Sequence, residues 1–428
     1  MLFRSLAQEI IRREGLRDEA ELQSWFIRRI ETFLRAHGRR LIGWDEILQG
    51  GLAPDATVMS WRGTEGGIAA ARQGHDVVMT PGSHLYFDHY QGPPETEPLA
   101  IGGFTPLWRV YEFEPVPPDL TAEEARHVLG AQANVWTEYI TTPEQVEYMA
   151  LPRMLALAEV VWSPREARDW DDFSARLPVQ LQRLDALGVR YRIFAPLGLD
   201  GDRLVLGDSA IVTLTSPLPD AQVLWATDDP GMAGARLADG PISLPVAEGG
   251  VRLTARLRLA DGRLGPPVSG RFRRATLRAA RRVDPAHLAP GLAYAYYARK
   301  VSRAAALTDL TPTARDTVRE VALRGTERAE NFGARWTGFL RVPTDGVYEF
   351  TLLSDDGSLL RIAGETVIDH DGPHSARARA GAVALAAGLH PFEVAFFQGD
   401  GDRTLELRMR TGDGDWQPVP GDWFFRER

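Results

Sequence analysis

The sequence predicts a multidomain chain, an α/β region followed by two all-β regions. Three observations predict it. Residues 1–192 alternate short apolar strand signals with helical ones, which implies a parallel sheet, closed as a barrel or open and doubly wound. Residues 197–277 and 291–428 instead alternate apolar and polar positions at period two between Asp-Gly turns, the pattern of small β-sandwiches. An arginine- and alanine-rich stretch separates these two, and 278–290 reads as a linker.

The elements follow in order. Leu22, Phe26, Ile30, Phe33 and Leu34 step at helical spacing, with Gly38 as a stop. Strands are expected at Leu41–Trp44, Val58–Trp61, Val77–Met79 and about Leu129–Trp136, with a short helix from Gly66 to Gln73 closed by Gly74. Residues 82–126 read as loop-rich. Thr142-Pro143-Glu144-Gln145 supplies an N-cap, a proline at the first helical position and a capping-box glutamine, for a helix running to about Val161. Phe173, Leu177, Leu181 and Leu184 mark one more amphipathic helix. In the second region Ile211–Thr215, Val223–Trp225 and Val251–Leu257 are strands, with turns at Asp229-Pro230, Asp239-Gly240 and Asp261-Gly262. In the third, Tyr348 and Phe350 alternate with polar residues, and Asp345-Gly346, Asp356-Gly357 and Asp371-Gly372 read as turn tips.

Composition narrows the function. The 428 residues suit two to four domains, and the net charge of −9 argues against a nucleic-acid footprint. The absence of cysteine excludes disulfides, thiolate metal sites and cysteine nucleophiles. Lys300 is the only lysine, which removes a P-loop lysine and weighs against Schiff-base chemistry. Met1–Glu9 lacks the apolar core of a signal peptide, and no apolar run is long enough to span a membrane, so localisation is left unassigned.

Trp44, Asp45, Glu46, Trp61, Tyr86, Asp88, Trp136 and Glu138 fall at or just after expected strand ends, where parallel α/β folds bind ligands. Indole faces stack on the C–H face of a sugar and carboxylates accept from its hydroxyls, so the set reads as a sugar pocket. The plainer alternative makes the tryptophans core residues and the Asp45-Glu46 pair helix-start acids.

Gly43–Leu48, Val58–Gly63, Tyr86-Phe87-Asp88 and Gly130–Glu138, continued by Arg153, Leu157, Ala158, Glu159 and Trp162, occur in the order seen in glycoside hydrolase family 20, the β-N-acetylhexosaminidases, which this region resembles. The resemblance implies a (β/α)8 TIM barrel, of which residues 1–192 hold strands five to eight. It also implies no cofactor, and a substrate-assisted retaining mechanism, an exception to the two-carboxylate scheme. In that mechanism the 2-acetamido oxygen attacks the anomeric carbon while a glutamate acts as general acid and its neighbouring aspartate orients the acetamido N–H. Tyr86 is then expected to hydrogen-bond the acetamido oxygen. Trp44, Trp61 and Trp136 would wall the sugar, and Asp88 and Glu138 would bind its hydroxyls. Substrates would be N-acetylhexosamine-containing glycans or chitin oligosaccharides, with neither nucleic acid nor membrane as partner.

One departure stands out. The family's His-x-Gly-x-Asp-Glu block has no match here; Asp18-Glu19 and Asp45-Glu46 are the only Asp-Glu dipeptides, and the second matches the later Gly-Trp-Asp-Glu motif. The expectation is an incomplete barrel, truncated before its catalytic acid and inactive alone, with any export signal upstream as in exported relatives. Residues 197–277 resemble a chitobiase C-terminal-like β-domain, through Trp225–Asp228 and Gly270–Phe272. Residues 291–428 resemble a protective-antigen-type β-sandwich, through Gly291–Tyr297, Trp336–Leu340, Gly346–Phe350, Ser354–Gly357 and Gly388–Pro391. In some relatives a paired Asp-Asp holds a sugar-binding calcium. Asp355-Asp356 lies at that place, with a hairpin turn as its plainer reading. A carbohydrate-binding protein acting through this sandwich is therefore the alternative function. His370 and His374, split by Gly372-Pro373, read as no metal site, and Gly399–Asp402 and Gly412–Asp415 as hairpin turns.

Overall fold

A computed structural model describes residues 2–199, 201–328, 330–374, 376–399, 403–412 and 414–428, with side chains of the first helix from Leu6 onward. The turns read at Gly399–Asp402 and Gly412–Asp415 lie in part outside the described residues. The chain divides into two compact units. Residues 1–195, 216–222 and 256–267 form the first, and 196–215, 223–255 and 268–428 the second.

The first unit is built on a four-stranded parallel sheet: β1 (Ile42–Trp44), β2 (Thr57–Ser60), β3 (Val77–Met79) and β4 (Val128–Ala131), in that spatial order. Helix Glu19–Ala36 precedes β1, capped by Asp18, whose side chain accepts from Glu21 N–H. Helix Glu65–Arg72 returns the chain from β2 to β3. Glycines follow its first residue, since a Cβ on Gly66 would stand 2.9 Å from Asp45 Cβ and one on Gly67 2.6 Å from Met79 Cε. β3 is the buried centre, with Val77 and Met79 fully covered, whereas Ile42 on one edge strand and Leu129 on the other are 58% and 61% exposed.

Several expected boundaries move. β4 ends at Ala131, so Trp136 lies on the loop beyond it. The helix begun by Thr142 stops at Ala150, because Pro152 forces Leu151 into extended backbone; a separate helix, Arg153–Trp162, follows. Gln145 caps one residue further out than expected, its Oε1 accepting from Thr141 N–H at 2.9 Å. Helix Trp170–Ala186 buries Phe173, Leu177 and Leu181 as the spacing requires.

The second unit contains a five-stranded sheet ordered Arg203–Val205, Val268–Arg274, Val251–Arg258, Gln222–Thr227, Arg236–Leu237, with Ser209–Val212 paired to Ile242–Pro245. Beyond it two sheets face each other across a core of Trp336, Phe332, Phe350, Leu352, Leu360 and Phe396. Residues 278–290 are not a free linker. Arg278 N–H donates to Ala384 O and Arg281 N–H to Leu389 O, and Leu288–Pro290 pairs antiparallel with Phe424–Glu427.

The corner at Asp355-Asp356 is not a hairpin. Strand Gly346–Asp355 belongs to one sheet and Ser358–Ile362 to the other, so the chain crosses the core there, through a cis Asp355–Asp356 peptide. Asp371-Gly372 makes a second crossing, from Glu365–His370 to Arg377–Leu385. The two corners touch: a Cβ on Gly357 would sit 2.6 Å from Gly372 N.

Candidate functional site

Each parallel strand delivers one aromatic residue to its C-terminal end. Trp44 closes β1, Trp61 follows β2, Tyr86 follows the helical turn Gly82–Leu85 after β3, and Trp136 lies beyond β4. Their rings come together in pairs. Trp44 and Trp136 are 5.7 Å apart and tilted, and Trp61 and Tyr86 are 6.4 Å apart and stacked. The tryptophans are thus half-buried or exposed walls rather than core.

Asp45 and Glu46 open a short helical turn after β1 and hold the neighbouring wall. Buried Asp45 accepts from Trp61 N–H at 3.0 Å, Arg62 N–H at 3.2 Å and Arg62 Nε at 2.6 Å. The Glu46 carboxylate accepts the Trp61 indole N–H at 3.0 and 3.1 Å. Both carboxylates therefore fix Trp61 from behind.

Burial raises the Tyr86 phenol above its usual pKa, against side-chain hydrogen bonds to Trp136 and Asn134, so the hydroxyl keeps its proton at neutral pH and can donate. Burial also raises Asp88, helped by the charge of Glu138 and opposed by Arg153. Asp88 is 5% exposed, and its Oδ1 has no hydrogen-bond partner among the described residues. An acceptor left open in a buried place is costly unless a ligand donates to it. Glu138 stands exposed beside it.

Three residues shape this wall without having been assigned a role from sequence. Asn134 joins Tyr86 in a parallel bridge that carries the sheet's hydrogen bonding past its strands. Its Nδ2 donates to Thr80 Oγ1 at 2.8 Å, and its Oδ1 accepts from Gln132 Nε2 at 2.9 Å. His89 packs 5.5 Å from Tyr86, and burial beside Arg153 lowers its pKa to about 4, so it is neutral. Arg153 is fully buried, its guanidinium 4.8 Å from the Phe87 ring centroid. It donates to Phe87 O at 2.5 Å, His89 O at 3.1 Å, Thr105 O at 2.9 Å and Met149 O at 3.1 Å. Asp88 is thereby gripped on both sides. The sequence signal was present: the only arginine of helix Arg153–Trp162, at its first position, in a run that is apolar apart from Glu159.

Residues 3–165 match the family model of the glycosyl hydrolase family 20 catalytic domain. Residues 288–418 match that of the PA14 domain. A β-hexosaminidase of Porphyromonas gingivalis is 38% identical over 99% of this chain and 56% of its own length. A β-N-acetylhexosaminidase of Cellulomonas fimi is 35% identical over 37% of this chain and 33% of its own. The chain thus spans little more than half of the first relative's length. Among solved structures, the family 20 exo-β-N-acetylglucosaminidase of Vibrio harveyi in complex with N-acetylglucosamine aligns at 36% identity and a TM-score of 0.40, covering 44% of this chain and 30% of that one.

Of the other candidate pair, Asp355 and Asp356, the second holds the surrounding backbone. Asp356 accepts from His374 N–H at 2.9 Å and Gly399 N–H at 2.8 Å, tying three loops together. Calcium takes about six to eight oxygens, and among the described residues no three His, Asp or Glu side chains gather to hold a metal. His370 and His374 stack 4.0 Å apart, each with one ring nitrogen at a backbone carbonyl.

Proposed function

We propose that residues 1–192 are the substrate-gripping half, strands five to eight, of a β-N-acetylhexosaminidase TIM barrel, acting on terminal N-acetylhexosamine of glycans or chitin oligosaccharides. The buried Asp88 Oδ1, without a hydrogen-bond partner among the described residues, is the observation that carries this reading. Asp88 and Glu138 accept sugar hydroxyls, Trp44, Trp61 and Trp136 wall the ring, and Tyr86 donates to the acetamido oxygen as it attacks the anomeric carbon. Holding that oxygen in line is where catalysis by positioning arises. The general acid and its orienting aspartate come from outside these 428 residues, since Asp45 and Glu46 are committed to Arg62 and Trp61. The exposed Ile42 and Leu129 support flanking strands on both edges. The five-stranded sheet is read as the chitobiase-like spacer and residues 291–428 as the protective-antigen-type module.

The test is calorimetric titration of the chain with N-acetylglucosamine, alongside hydrolysis of an aryl β-N-acetylglucosaminide, for the parent and Tyr86→Phe. Binding without turnover, weakened in Tyr86→Phe, is expected. Turnover by this chain alone that depends on Tyr86 would mean the acid lies within it. Failure to bind the sugar would overturn the pocket.

A further inference from the structure

The second unit contains a cleft of about 1120 Å³ that none of the foregoing uses. Arg203 reaches it from the edge strand of the five-stranded sheet, and Arg273 and Arg274 from the end of the strand beside it. Its floor is the solvent-side face of strands Gly346–Asp355 and Arg377–Leu385, where Thr351 lies opposite Ala380 and Glu349 opposite Ala382. These small side chains leave a flat bed. Trp416 stands in the wall, with the Arg410 guanidinium 4.6 Å from its ring centroid.

The charges do not cancel. Among the described lining residues five arginines face three carboxylates, although the whole chain carries −9. Glu349 pairs with Arg410 at 2.6 Å, and Glu365 pairs with Arg278. Asp202 accepts from the Arg271 backbone N–H at 2.9 Å. Arg274 engages Val246 O through Nε, which leaves its two outer nitrogens. The Arg273 side chain is exposed and makes no hydrogen bond or ion pair among the described residues. Guanidinium forks match sulfate and carboxylate oxygens bidentately. The volume exceeds the roughly 300–1,000 Å³ of ordinary small-ligand pockets, which favours a chain-like ligand. A single tryptophan over a flat bed suits sugar rings better than the run of stacking platforms that single-stranded nucleic acid requires.

We propose that this cleft binds an acidic oligosaccharide, with Arg273 and Arg274 taking its sulfate or carboxylate groups and the Ala380–Ala382 bed and Trp416 receiving its rings. The whole chain is titrated calorimetrically with a heparin-derived hexasaccharide, with hexagalacturonate and with neutral chitohexaose. The expected result is binding of one or both acidic probes, which identifies the group recognised. Arg273→Glu should weaken it at least tenfold while thermal unfolding and chitohexaose binding stay unchanged. Trp416→Ala should weaken it without changing its salt dependence. Arg126→Glu, on an exposed side chain of the first unit, is the control for general charge. The proposal is overturned if neither acidic probe binds, if Arg273→Glu binds within twofold of the parent, or if Arg126→Glu weakens binding equally.

Discussion

Replacing Arg153 by methionine keeps most of its volume and removes every hydrogen bond it makes. Four backbone carbonyls, of Phe87, His89, Thr105 and Met149, then lose a charged donor. A buried acceptor left unpaired costs about 1–3 kcal/mol, but the variant no longer has to bury a guanidinium. The two effects oppose each other, and the net loss expected is about 3 kcal/mol. At an m-value of about 1–3 kcal/mol per molar urea, the midpoint for the first unit should fall by roughly 1–3 M. Amide exchange separates this unit from the other, whose protection should not change. Arg153→Lys, keeping the charge but not the fork, should fall between parent and methionine variant. A loss under about 1 kcal/mol for Arg153→Met, or an equal loss of protection in both units, would refute the view that this residue pins the loops around Asp88.

Sugar affinity should weaken as pH falls, beginning above the ordinary aspartate range, because burial raises the Asp88 pKa and only the ionised form accepts from two hydroxyls. Titrating N-acetylglucosamine from pH 7 to pH 4 checks this, and Asp88→Asn should flatten the profile and lower affinity about 10–100-fold. Glu46→Leu should free the Trp61 indole and weaken sugar binding by about 1 kcal/mol, read by calorimetry, with little change in global stability. In the C-terminal sandwich, Asp356→Ala strips the acceptor from two backbone N–H groups and should lower stability by about 2–4 kcal/mol in a urea titration, whether or not calcium is added.

The ends of the parallel strands were legible because each is closed or followed by an aromatic residue, Trp44, Trp61, Tyr86 or Trp136, and the β1–β3 positions needed only short apolar runs. The exact reach of β4 was not: Asn134 and Trp136 continue a strand-like pattern, yet Asn134 pairs its backbone with Leu85 and Phe87, outside any strand. The helix break at Pro152 was written in the sequence and overridden by the apolar periodicity on either side of it. At the Asp355-Asp356 corner, an Asp-Gly signal announces a change of direction but not which sheet receives the next strand; the core contacts of Ser358–Ile362 decide that. Asp45 and Glu46 show the same limit in the site. Their chemistry was legible, but whether they face a ligand or hold a neighbour depends on where Trp61 and Arg62 arrive.

The pairing of Leu288–Pro290 with Phe424–Glu427 has a mechanical side. The strand that enters the C-terminal sandwich lies directly against the one that leaves it, Leu288 opposite Glu427. A pull applied through the two ends of this module would load that three-residue ladder one rung at a time, as a zipper rather than in shear. Tension along the chain would therefore peel the edge strand Leu288–Pro290 from its neighbour at low force, while the long ladder between Phe332–Val342 and Gly388–Gln398 stayed closed. The same adjacency makes the module a bud on the chain, with its entrance and exit at one place.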